Sequence, residues 1–146
     1  MSETLCEHAG GEKSLHRLEE LFYDMALADP VLKAQFTERV TTHVEHLTWF
    51  TVESFGGPDR FTREIGFDYL IALHRGKKIT DEQRERFVAA YLQALDDAGL
   101  PDDAPFRKAF REHIEFGAHV AQQNSWAETD DELHPIRQVP HWDWPA

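Results

Sequence analysis

The sequence predicts an all-α domain. Apolar residues recur every three to four positions in each long segment, glycines, prolines and capping residues punctuate the segments, and no stretch alternates apolar and polar residues as a half-buried strand does. About five helices follow, too uneven in length for a simple up-and-down four-helix bundle.

Residues 1–13 are polar and contain Gly10-Gly11, which predicts a loose lead-in with one helical turn around Leu5 to Ala9. From Ser14 to Ala28, Leu15, Leu18, Leu21, Phe22 and Met25 fall at helical spacing, and Glu19, Glu20 and Asp24 are expected on the outside. Tyr23 lies beside that stripe, so its ring is expected to be buried and its hydroxyl to need a partner. Asp29-Pro30 ends the helix, because proline disfavours helical geometry in the residue before it, and Val31 to Phe36 forms a short second turn. Thr42 is expected to cap a helix running to Phe55 and stopped by Gly56-Gly57-Pro58. One face of it carries His43, His46, Leu47, Phe50 and Ser54, and another carries Trp49, Val52 and Phe55, so burial on more than one side is expected.

Asp59 to Phe67 reads as irregular and charged, and Asp68 to His74 as a short helix. Thr80-Asp81-Glu82-Gln83 is a capping box that opens a helix to Ala98, with Phe87, Val88, Tyr91, Leu92 and Leu95 inward and Gly99 as its stop. Pro105 suits the first turn of a last helix, in which Phe106, Phe110, Ile114, Gly117 and Val120/Ala121 repeat up to Asn124, with Gly117 expected to admit a close neighbour. The rest, with Trp126, Trp142 and Trp144 among Pro135, Pro140 and Pro145, has no periodicity and reads as a tail lying partly across the domain or against a partner. The organisation is thus a lead-in (1–13), one domain (14–124) and a tail (125–146), a division that suits a chain of 146 residues.

A formal net charge of −12 repels phosphate backbones and anionic lipid, which argues against nucleic acid or membrane as a partner. The single cysteine, Cys6, has no intramolecular partner, and no apolar run approaches a signal segment or a membrane span; a soluble, cytoplasmic protein is expected.

The chemistry centres on Leu70-Ile71-Ala72-Leu73-His74-Arg75-Gly76-Lys77-Lys78-Ile79-Thr80. A histidine at the end of an apolar run is carried toward the interior, while Arg75, Lys77 and Lys78 stand at the rim for an anionic group. A lone histidine on an apolar face is more often a hydrogen-bonded core residue. His43 and His46, three apart on one helix, admit two further arrangements with His74. Either three histidines gather on a non-haem metal, or one ligand faces distal residues across a flat cofactor. Leu47 and Phe50 extend the apolar face, which suits a large planar hydrophobe better than a hydrated ion and favours haem.

The chain resembles the truncated haemoglobins, the short bacterial globin family, most of all their second group, over about residues 5 to 124. The resemblance is carried by Gly10-Gly11, Phe22-Tyr23, Asp29-Pro30, Phe55-Gly56-Gly57-Pro58 and His74 with Ile79 five residues on. The tail, with Trp142-Asp143-Trp144 after Pro140, is similar to that of actinobacterial members. The resemblance implies a short globin fold around b-type haem, with His74 as the proximal iron ligand. It makes Tyr23 a distal hydrogen-bond donor to a bound gas, Phe36 a residue packed on the ring, His43 the distal gate, Leu47 a neighbour of the iron and His46 a partner of a propionate. Phe50, Leu70, Leu73, Ile79 and Phe87 complete the expected lining. Two departures matter: Phe87 stands where tryptophan is usual and Phe36 where tyrosine is commoner, so each removes a possible donor. Ile65-Gly66-Phe67 lacks the basic residues common there, which shifts propionate pairing toward Arg75, Lys77 and His46.

Two functions fit these residues. One is reversible binding of O2, NO or CO by a monomer or homodimer. The other is haem redox catalysis, NO dioxygenation or peroxide turnover, with His43 as proton shuttle and an external reductase as electron donor. A haem-free helical interaction domain is the remaining reading.

Overall fold

The computed structural model describes residues 3–36, 40–133 and 139–143. Among them are eight α-helices, one 3-10 turn and no strand: α1 (Leu5–Ala9), α2 (Gly11–Ala28), α3 (Pro30–Lys33), α4 (Val40–Ser54), α5 (Arg60–Glu64), α6 (Phe67–Leu73), α7 (Asp81–Asp97) and α8 (Ala104–Ser125), with the 3-10 turn at Asp130–Glu132.

The boundaries follow local chemistry. Thr4 and Glu7 form a capping box at α1, as Thr80 and Gln83 do at α7. The Asp29 carboxylate accepts from the Val31 N–H at 2.8 Å, and Asp103 caps α8 through the Phe106 N–H, with Pro105 in its first turn. Gly10 joins α1 to α2 at φ 105°, a left-handed conformation in which a Cβ would lie 2.3 Å from the Ser14 hydroxyl. α4 begins at Val40, ahead of the expected cap Thr42.

The count exceeds the expected five because short helices lack a readable period. α5 occupies the stretch read as irregular: Arg60–Glu64 and Arg63–Asp59 ion pairs line its outside, and Phe61, 1% exposed, is its single anchor. The one turn expected near Leu5 is α1, and it belongs to the core, with Leu5, Cys6 and Ala9 buried and the Cys6 N–H donating to the Phe55 carbonyl at 2.9 Å.

α2 packs against α4 and α7, α7 against α8, and α6 against α8. The main core gathers Leu15, Leu18, Phe22, Phe55, Leu95 and Phe110, and a second cluster gathers Phe50, Phe61, Phe67, Ile71, Val120 and Val139. Each fully buried side chain of this size stabilises the fold by about 1.5–3 kcal/mol. Beyond α8, Trp142 packs on the main core and its main-chain N–H donates to the Ser54 carbonyl at 2.6 Å, while Trp126 is exposed; Trp144, Pro135 and Pro145 lie outside the described residues.

Two expectations are corrected. Glu19 is fully buried, because α2 is covered by both α4 and α7 and the 19/23/26 face is enclosed along with the 15/18/22 face. Gly117 admits no close neighbour: a Cβ there would meet nothing within 4 Å, because the residue opens on a cavity.

Candidate functional site

An apolar cavity of about 320 Å³ is lined by residues of both core clusters. One wall carries Tyr23 from α2, Phe36 from the turn after α3, and His43, His46, Leu47 and Phe50 from α4. Leu70, Leu73, His74, Lys77 and Ile79 come from α6 and the loop after it, and Phe87, Tyr91, His113, Ile114 and Gly117 from α7 and α8. Every site residue expected from the sequence lines this one cavity except Lys78 and Arg75, the latter with its guanidinium bonded to the Asp130 carboxylate on the outside.

His74 is the C-cap of α6, and the Pro-free apolar run before it delivers the ring to the cavity. Its Nδ1 lies 2.8 Å from the carbonyl oxygen of Leu70, which can only accept, so Nδ1 carries the proton and Nε2 keeps a free lone pair. Burial pushes the imidazole below its ordinary value; the Leu70 bond opposes this and the Lys77 charge adds to it, so the ring is neutral, as a metal ligand must be. The loop is fastened to the end of α8. The N–H groups of Gly76 and Lys78 donate to the carbonyls of Ala127 and Ser125, the Ile79 N–H donates to the Ser125 hydroxyl at 2.9 Å, and the Trp126 indole donates to the Ile79 carbonyl at 2.9 Å. These bonds hold Lys78 at φ 50°, a left-handed conformation costing on the order of 1 kcal/mol in an L-residue.

Tyr23 is 3% exposed and faces the cavity between Phe36, edge-on at 5.5 Å, and the His43 ring at 6.1 Å. Burial, helped by the nearby Glu19, pushes its hydroxyl well above the ordinary phenol range, which keeps it a donor. Among the described residues no group accepts from that hydroxyl, so it is available to a ligand. Phe87 stacks on Phe36 and meets Phe22 edge-on, an apolar contact with no donor.

A flat hydrophobe bearing carboxylates fits this lining. His74 supplies one imidazole nitrogen, the walls are apolar, and the cations Lys77 and Arg84 line the cavity; the Arg84 Nε is buried without a partner. The three-histidine alternative fails, since among the described residues no group of three or more His, Cys, Asp or Glu is placed to hold a metal ion.

Sequence reasoning missed Arg84, Thr51 and His113 as lining residues. Arg84 follows the capping box as a solvent-type charge, and only the fold turns it inward. His113 continues the Phe106/Phe110 stripe, a spacing from which it was readable. Its Nδ1 is buried and unpartnered, and burial lowers its pKa to about 3.

Residues 4–123 match the family described as bacterial-like globin. Among solved structures, the chain is similar to the group II truncated haemoglobin of Bacillus anthracis, at 27% identity and a TM-score of 0.76 over 90% of this chain and 98% of that one. It is similar to the thermostable haemoglobin of the actinobacterium Thermobifida fusca, at 30% identity and a TM-score of 0.72 over 82% and 96%. It also resembles the truncated oxygen-avid haemoglobin of Bacillus subtilis, at 27% identity and a TM-score of 0.71 over 80% and 97%. No curated protein sequence matches it significantly.

Proposed function

The chain belongs to the bacterial-like globin family, and on that premise we propose that it holds a b-type haem through Nε2 of His74 and reversibly binds O2, NO or CO beside Tyr23 and His43. The observation that carries this reading is the Nδ1–Leu70 bond of His74 at the edge of an apolar cavity that is also lined by Tyr23, whose hydroxyl meets no acceptor among the described residues. A ferrous haem supplies the open coordination position at which a diatomic gas binds. Tyr23 would offer its hydroxyl to a gas bound there, Leu47, Phe36 and Phe87 would keep its surroundings apolar, and His43 would line the same space. Lys77, Arg84 and His46 offer positive charge or N–H donors to the propionates; Arg75 is engaged by Asp130. A non-covalent haem is supported by Cys6, the single cysteine, which packs in the main core and does not line the cavity. The likeness to the Bacillus anthracis and Thermobifida fusca proteins supports placement in the second group and its actinobacterial subset.

Titration of the purified protein with haemin tests the reading. Saturable uptake, a histidine-ligated ferrous spectrum and a reversible spectral change under CO are expected. Failure to take up haem, or uptake with no response to any of the three gases, overturns it.

A further inference from the structure

Glu19 is a carboxyl group enclosed without a counter-charge. It is fully buried on α2, and its oxygens accept from two hydroxyls, Thr51 of α4 at 3.1 Å and Tyr91 of α7 at 2.5 Å. Among the described residues it makes no ion pair. A purely structural polar contact between three helices needs no ionisable group, and burying a carboxylate without a counter-charge costs stability. Both of its partners line the cavity, so Glu19 stands one side chain behind the lining, and two rotatable hydroxyls connect it to that space.

We propose that Glu19 is a proton-exchanging positioning residue of the gas-binding side. Its carboxylate takes up one proton from solvent when the ferric iron of a bound haem accepts one electron from an external one-electron reductant, and returns it on re-oxidation. One O–H bond forms at Glu19 as the iron gains one electron, so the net charge of the interior is unchanged; in a low-dielectric interior that neutrality lowers the cost of the redox change. The inference rests on the haem reading above.

The surroundings poise the group for this exchange. Burial raises its pKa from 4.5 to about 7, opposed by the hydrogen bonds from Tyr91 and Thr51. The titratable groups facing it are Tyr91 from α7 and Tyr23 one turn further along α2; burial holds both phenols well above their ordinary range, so both stay neutral, and α4 contributes the uncharged Thr51. Glu19 is therefore the group in this cluster whose charge changes near neutral pH.

The test uses haem-loaded protein in a spectroelectrochemical cell, with the ferric/ferrous midpoint measured from about pH 5.5 to about pH 8.5 and reduced-minus-oxidised infrared spectra recorded at each pH. Wild type should show a midpoint that falls as pH rises through the neutral range, with a protonated-carboxyl band that grows on reduction. Glu19→Gln should lose the band and that part of the pH dependence. Tyr91→Phe removes a donor to the charged form, so its pH window should move upward, which keeps the idea testable if Glu19→Gln does not fold. A pH-independent midpoint in wild type, an unchanged slope in Glu19→Gln, or an unmoved window in Tyr91→Phe overturns the inference while leaving the haem reading intact. Absence of haem uptake overturns both.

Discussion

The imidazole Nδ1 of His74 lies 2.8 Å from the main-chain carbonyl oxygen of Leu70, one turn earlier in α6. The bond fixes the tautomer and aims Nε2 away from the helix. His74→Ala should abolish stable haem binding or leave a haem lacking its strong axial imidazole, and exogenous imidazole should partly restore the ferrous spectrum. An unchanged ferrous spectrum in the variant would place the ligand elsewhere.

Tyr23 lines the cavity, and among the described residues no group accepts from its hydroxyl. Tyr23→Phe should speed O2 dissociation and hardly alter CO, because bound O2 carries partial negative charge and CO does not. A hydrogen bond to a charged acceptor is worth about 1.5–3 kcal/mol, or roughly ten- to a hundredfold in rate. Stopped-flow dissociation of both gases checks it, and equal effects on the two would assign the ring a steric role.

His43 separates gas binding from redox catalysis. His43→Leu should raise the O2 off-rate at neutral pH and remove any low-spin ferric fraction while peroxide reactivity falls only slightly. A fall of about two to four decades in peroxide turnover would instead identify a general acid–base catalyst.

Glu19 and His113 give stability an opposed pH dependence. Glu19 has a folded pKa of about 7 against 4.5, so the native state keeps a proton that the unfolded chain has released, and stability falls as pH rises from 4.5 to about 7. His113 has a folded pKa of about 3 against 6.5, so the unfolded chain binds a proton that the native state refuses, and stability is lost as pH falls below 6.5. Between 4.5 and 6.5 the two slopes cancel. Glu19→Gln removes the loss on the alkaline side, and at about pH 8 it should gain up to about 3 kcal/mol relative to its own difference from wild type at about pH 4, as read by urea unfolding. The same wild-type-to-variant difference at both values would refute the assignment of that slope to Glu19.

Much of the site was legible because its residues obey one-helix logic. His74 ends an apolar run, His43, Leu47 and Phe50 share a face of α4, and all of them line the cavity. Glu19 was misread because periodicity within one helix reports one buried face, whereas α2 is covered by two neighbours. Arg75, expected at the rim, pairs with Asp130 instead, and Arg84, given no role in the sequence analysis, lines the cavity, for a similar reason. Which of two nearby cations turns inward depends on a partner far along the chain, here Asp130 for Arg75. α5 was invisible because a single buried phenylalanine sets no period.

The stitching of the loop after α6 to the end of α8 also dictates an order of assembly. Its closing bonds, from Ile79 to Ser125 and from Trp126 to Ile79, join positions 46 and 47 residues apart. Contacts of that separation form after local helices, once the loop-closure entropy has been offset by docking. During synthesis, a chain that has emerged only as far as α7 already possesses His74 and the cavity wall from α2 and α4, yet lacks the anchor for the loop that follows the histidine. Completion of the cavity therefore belongs to the last stage of folding, and the final helix is what closes it.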